Sequence, residues 1–120
     1  MFKTKKFIVY IVSGASRGIG KFIFESLKSQ KKNVVGLARK ADPDKDIIEC
    51  DVSNFESIKS AHEIIKKRYK KIYALINVAG IASMNLAIAM PEDITRKIIN
   101  TNLLGTIFLN QVFSTLLIKK

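Results

Sequence analysis

Acidic residues are scarce in this chain. Asp and Glu number 10 against 21 Lys and Arg, which leaves a net charge of +11 across 120 residues. Cysteine is scarcer still. Cys50 stands alone, so no intrachain disulfide and no cysteine-based zinc site can form, and no metal is expected. The lone thiol fits a reducing compartment. Long apolar runs are also missing. The tail Thr106 to Ile118 is broken by Asn110, Gln111, Ser114 and Thr115 and is too short to span a bilayer. The start, Lys3 to Lys6 before an apolar run, imitates a signal peptide. That run is too short, however, and no small-residue cleavage site follows it. No membrane partner is expected. No internal repeat or low-complexity linker divides the sequence, so residues 1–120 read as one domain.

The excess of positive charge admits anionic partners. The lysines are scattered, with Lys28, Lys31, Lys32, Lys59, Lys66, Lys67, Lys70 and Lys71 at helix ends or on solvent faces. No zinc-finger, RNA-recognition or helix-turn-helix pattern accompanies them, so no specific nucleic-acid partner is expected. A basic, solvated surface that attracts anionic cofactors is the better reading.

What the chain does have is organised around Ser13-Gly14-Ala15-Ser16-Arg17-Gly18-Ile19-Gly20. An apolar run, Phe7 to Val12, precedes this stretch and reads as a strand buried on both faces. A helix from about Gly18 to Ser29 follows, with Ile19, Phe22, Ile23 and Leu27 as its apolar face. Gly14 lets the chain leave the strand tightly, Gly18 lets backbone approach a ligand, and Gly20 lets the helix pack near the sheet. The free amides and positive dipole end of the helix favour a phosphate anion. The bland alternative is a glycine-rich turn that binds nothing.

The remaining elements alternate. Strand two is Asn33 to Ala38, and a polar loop follows from Arg39 to Asp46. Strand three is Ile47 to Cys50. Ser53 reads as the cap of helix two and Glu56 as its capping-box partner. That helix runs to about Tyr69 with Ile58, Ala61, Ile64 and Ile65 inward. Strand four is Ile72 to Asn77. A loop leads to Pro91-Glu92-Asp93, which opens the last helix. Its apolar positions are Ile94, Ile98, Leu103, Ile107 and Leu109. Such βαβ spacing predicts an α/β fold, a Rossmann-like doubly wound parallel sheet in the order 3-2-1-4. Strands one and four then meet at the switch point where ligands bind.

The GxxxGxG spacing resembles the short-chain dehydrogenase/reductase family of NAD(P)-dependent oxidoreductases. Three further motifs in the family's order extend the resemblance over nearly the whole chain. They are Asp51-Val52 after strand three, Asn77-Val78-Ala79-Gly80 after strand four, and Asn102 with Gly105 in the last helix. The nearest general likeness is to 3-oxoacyl-carrier-protein reductases. The resemblance implies a cytoplasmic enzyme whose cofactor-binding residues are Gly14, Ser16, Arg17, Gly18, Ile19, Gly20, Arg39, Asp51, Val52, Asn77, Ala79 and Gly80. Asp51 would accept the adenine amino group, with the Val52 amide completing the contact. Asn102 would be catalytic, its backbone carbonyl holding a water at a helix kink. Val78 departs from the family's second asparagine, and Ser13 replaces the usual threonine while keeping its hydroxyl.

Ala38 ends strand two where an acid would hold the ribose of NAD, and Arg39 follows it. With Arg17, it would suit the extra phosphate of NADP. Otherwise Arg39 merely begins a solvated basic loop. The family's catalytic serine and Tyr-x-x-x-Lys pair are expected beyond Lys120, and no tyrosine in the sequence is followed four residues later by lysine. The sheet is therefore expected to stop before a fifth strand, and the 120 residues are expected to bind cofactor without turning over a carbonyl or alcohol substrate. An uncovered sheet edge and helix face imply instability, self-association or a complementing chain. Two other functions stay open: a nucleotide-binding module without chemistry, and a basic structural or nucleic-acid-binding protein.

Overall fold

The structure, a computed structural model, describes residues 8–117. Phe7, expected in the first strand, lies outside them. Strand β1, Ile8–Ser13, leads into helix α1, Gly18–Ser29. Strand β2 is Val34–Ala38 and β3 is Ile47–Glu49, joined by a loop with a 3-10 turn at Pro43–Lys45. Helix α2, Phe55–Arg68, and strand β4, Lys71–Ile76, follow. Helix α3, Glu92–Ile99, continues through a π turn, Asn100–Leu104, into α4, Gly105–Phe113.

The strands form one parallel sheet in the order β3-β2-β1-β4. Strand β2 is buried along its whole length because both of its faces are covered, whereas β3 ends in exposed Glu49 and β4 begins with exposed Lys71. Val9, Ile11, Val35, Leu37 and Ile48 point to one side, against Ile58, Ala61 and Ile65 of α2 and Leu109 and Phe113 of α4. Val12, Val34, Ala38 and Ile47 point to the other, with Ala15 and Phe24 of the α1 side. Helices on both faces of a parallel sheet make the fold doubly wound, as the alternating pattern implies.

Four expectations need correction. Helix α1 does not bury Ile19 and Phe22, which are 72% and 74% exposed, whereas Phe24 is 3% exposed. The Phe24 ring lies over Gly36 of β2, so close that a Cβ there would come within 3.2 Å of it. That contact sets the rotation of the helix, and Ile23 and Leu27 stay partly buried beside it. Asn54 rather than Ser53 caps α2, its Oδ1 accepting from the Ser57 amide at 3.2 Å. The Ser53 hydroxyl donates instead to Asp51, and Glu56 lies 3.7 Å from Lys59. On α2, Ile64 is 40% exposed, one position out of phase with buried Ile65. The last helix is interrupted by the π turn, and its Leu103 and Ile107 face outward while Leu109 is buried.

Candidate functional site

The carboxyl ends of all four strands open onto one cavity of about 440 Å³. The turn after β1 forms its floor. Gly14 has φ +68°, and a Cβ there would fall 2.9 Å from the Cα and N of Ala79. Only glycine permits both the turn and the close passage of the β4 segment. The Gly14 and Ala15 amides donate to the Leu37 carbonyl at 2.9 and 3.2 Å, which ties the turn to β2. Gly20 abuts the turn from the helix side, where a Cβ would sit 1.9 Å from the Gly14 oxygen. Gly18 has φ +63° and open space where a Cβ would be. The first turn of α1 carries no acidic residue, and among the described residues no side chain caps it. Its amides therefore keep their positive potential at the cavity wall.

Ser13 links the end of β1 to the segment that follows β4. It is completely buried, and its Oγ accepts hydrogen bonds from the Val78 and Ala79 amides, both at 3.0 Å. The backbone after β4 is thereby drawn across the β1 turn, and Ala79 and Gly80 become cavity lining.

Asp51 and Val52 wall the far end. Asp51 Oδ1 accepts from the Ser53 amide at 3.0 Å and the Ser53 hydroxyl at 2.6 Å. Its amide donates to Ser57 Oγ at 2.8 Å. The carboxylate is thus held in place with Oδ2 still able to accept. Cys50 lies buried beside it. Burial, reinforced by the Asp51 charge and partly offset by a hydrogen bond from Ser57, pushes its thiol up to about 12. Cys50 is therefore a neutral wall rather than a nucleophile.

Of the residues expected at the site, Gly14, Ser16, Arg17, Gly18, Ile19, Gly20, Arg39, Asp51, Val52, Ala79 and Gly80 all line this cavity. Asn77 and Asn102 do not. The Asn77 amide donates to Asn110 Oδ1 of α4 at 3.0 Å. Asn102 sits behind the lining and clamps Ile81: its Oδ1 accepts from the Ile81 amide and its Nδ2 donates to the Ile81 carbonyl, both at 2.8 Å. The helix kink expected there is the π turn, and the Asn102 carbonyl accepts the Thr106 hydroxyl at 3.0 Å. Sequence reasoning missed Ser53, Ile81, Lys97 and Thr101, which also line the cavity. Lys97 and Thr101 stand four apart and just before Asn102, a helical spacing that could have revealed a shared face.

The short chain dehydrogenase family model matches residues 8–120. The chain is 32% identical to the 3-oxoacyl-(acyl-carrier-protein) reductase FabG of Salmonella typhimurium, over 93% of this chain and 50% of that one. It is 31% identical to the NAD-dependent glycerol dehydrogenase of Listeria innocua, over 87% of this chain and 45% of the relative. Among solved structures, the aldohexose dehydrogenase of Thermoplasma acidophilum superposes with a TM-score of 0.84 at 34% identity, covering 92% of this chain and 44% of that one. The NADPH-bound carbonyl reductase from chicken fatty liver gives 0.78 at 25%, covering 90% and 47%. The chain thus spans about half the length of the curated relatives it matches. With four parallel strands in the shared order and a family match from β1 onward, this chain belongs to the short-chain dehydrogenase family.

Proposed function

We propose that the cavity binds NADP and that the protein is an oxidoreductase transferring hydride between this cofactor and a carbonyl or alcohol. The observation that carries the reading is the pairing of Arg17 and Arg39 around one cavity whose β2 end, at Ala38, bears no carboxylate. An acid at that position would favour a ribose hydroxyl, and its absence beside two guanidiniums favours a 2′-phosphate. Relatives use either cofactor: the Listeria dehydrogenase is NAD-dependent and the chicken reductase is NADPH-bound. The choice therefore rests on this chain's own charges.

The residues fit the group. The α1 amides and the turn containing Gly14, Ser16, Gly18, Ile19 and Gly20 would hold the pyrophosphate. Asp51 Oδ2 and the Val52 amide would take the adenine edge. Ala79 and Gly80 would pass the ribose closely. The bound nicotinamide supplies hydride chemistry, and the protein supplies binding and orientation. Asn102 fixes Ile81 at the cavity lip and presents its carbonyl at the π turn, where it would position a proton-relay water. Asn77 would act from behind, holding the β4 end against α4 through Asn110.

Titration of the protein with NADPH and NADH, followed by nucleotide fluorescence, tests this. NADPH is expected to bind more tightly. Arg39→Ala should weaken NADPH by about 10- to 100-fold, the loss of one charge-assisted contact of about 1.5–3 kcal/mol, and barely change NADH. Equal affinity for the two nucleotides in the unaltered protein would overturn the NADP assignment.

A further inference from the structure

A second cavity, of about 360 Å³, adjoins the first. It is lined by Arg17, Arg39 and Lys97, with the segment from Gly80 to Ser83 and Ile94 and Ile98 of α3. Arg17, Arg39, Gly80, Ile81 and Lys97 line both cavities. Among the described residues, no Asp or Glu lines the second one. Three cations from three separate segments therefore line both cavities, and the carboxylate nearest to them in the lining, Asp51, belongs to the first cavity alone.

Their pairing is equally one-sided. Among the described residues, none of Arg17, Arg39 and Lys97 takes part in an ion pair. The residue beside Lys97 behaves differently: the Arg96 guanidinium binds Glu92 one turn back, at 2.7 Å. Successive residues on a helix lie about 100° apart. Arg96 is thus turned along the outer face of α3 to its carboxylate, and Lys97 is turned to the cavity. Like charges lining a cleft repel one another, and the cleft walls focus their field onto whatever anion enters. A dianion relieves that repulsion more than a monoanion does.

We propose that Lys97 completes a three-cation rim, with Arg17 and Arg39, for a dianionic phosphomonoester, and thereby helps set the preference for NADP over NAD. The proposal rests on the NADP reading and adds to it a determinant from α3, an element that neither the glycine turn nor the β2 end identifies. Lys97 acts as a mobile point charge on a flexible stem, so arginine can replace it.

The test compares the unaltered protein with Lys97→Ala, Lys97→Arg and the neighbouring control Arg96→Ala. Dissociation constants are measured for NADPH, NADH, adenosine 2′,5′-bisphosphate and adenosine 5′-monophosphate. Lys97→Ala is expected to weaken NADPH and the bisphosphate by about tenfold while changing NADH and the monophosphate less than twofold. Lys97→Arg should restore the loss, and Arg96→Ala should leave all four near their original values. Thermal midpoints check that each variant folds, and Lys97 is exposed enough that little change is expected. If the unaltered protein prefers NADPH but Lys97→Ala keeps that preference, or loses all four nucleotides equally, the rim is wrong and the NADP reading survives. If the unaltered protein shows no preference for NADPH, both fall. The phosphomonoester has one other source, a phosphorylated substrate. Inorganic phosphate that binds the NADPH complex as tightly as the free protein would place the anion on such a substrate and overturn the link to cofactor choice.

Discussion

Ser13 shows how much of the site one hydroxyl holds. Two backbone amides depend on it as an acceptor. Ser13→Ala is expected to destabilise the protein by about 1–3 kcal/mol, because the amides would be left unsatisfied near the core. Ser13→Thr should retain most of the stability. Urea unfolding of the two variants checks this, and equal stability of the alanine variant and the parent would show that other acceptors replace the hydroxyl. The sequence presents Ser13 as a residue that keeps a hydroxyl in place of threonine, and no more. Its partners, Val78 and Ala79, follow the neighbouring strand β4 but lie 65 and 66 residues on in sequence, and no local pattern could name them. The glycines were more legible because each answers a local demand. Even so, the atoms that exclude a side chain at Gly14 belong to Ala79. Gly14→Ala combines the left-handed backbone cost of about 1–2 kcal/mol with a collision against that segment. It should abolish nucleotide binding as well as lower stability.

Element by element, existence and order were legible while rotation was not. The apolar spacing of α1 fits two faces. The sheet chose the one with Phe24 because Gly36 leaves room for its ring. The cap of α2 moved by one residue because Ser53 had a better acceptor in Asp51. The π turn has its own packing logic. A Cβ on Gly105 would come 2.9 Å from both Val52 Cγ2 and the Val52 carbonyl oxygen. Val52 lines the cavity, so helix packing and ligand site share this contact. Gly105→Ala is expected to cost about 1–3 kcal/mol through overpacking and to weaken nucleotide binding in parallel. A variant that loses stability but binds normally would uncouple the two. Helix α2 also carries a titrating group. The His62 ring packs edge-on against Phe113 at 5.3 Å, and its Nε2 is buried without a hydrogen-bond partner among the described residues. Burial lowers its pKa, partly opposed by Glu63 and reinforced by Lys66. The unfolded chain thus binds a proton more readily than the native one. Stability from this group is complete above the unfolded value of about 6.5 and is lost as pH falls through the lower folded value. Thermal midpoints between pH 7 and 5 should fall less steeply for His62→Leu than for the parent. Identical slopes would show that protonating the ring costs the fold nothing.

For the molecule as a whole, the sheet order was readable because right-handed crossovers leave few alternatives. The gathering of motifs at the carboxyl end followed from that topology. The surface was less readable, since apolar spacing cannot say which face a neighbouring element covers. Ile99, Leu103 and Ile107 are 47%, 53% and 47% exposed, spaced four apart across α3, the π turn and α4. Among the described residues, strand β4 ends the four-stranded sheet, with Leu117 bridging Ile72 in parallel and Tyr73 59% exposed. Apolar side chains aligned along one helical line expose a contiguous patch, and association is the ordinary way to remove it from water. Sedimentation velocity of the purified 120-residue chain is therefore expected to show concentration-dependent self-association. Ile107→Glu places a charge in the middle of the line and should shift the population toward monomer. Because Ile107 lines neither cavity, nucleotide affinity should not change. A sedimentation coefficient independent of concentration in the parent chain would show that the exposed line is too narrow to drive association. Dissociation by Ile107→Glu with loss of nucleotide binding would instead mean that the cavity forms only in the associated state.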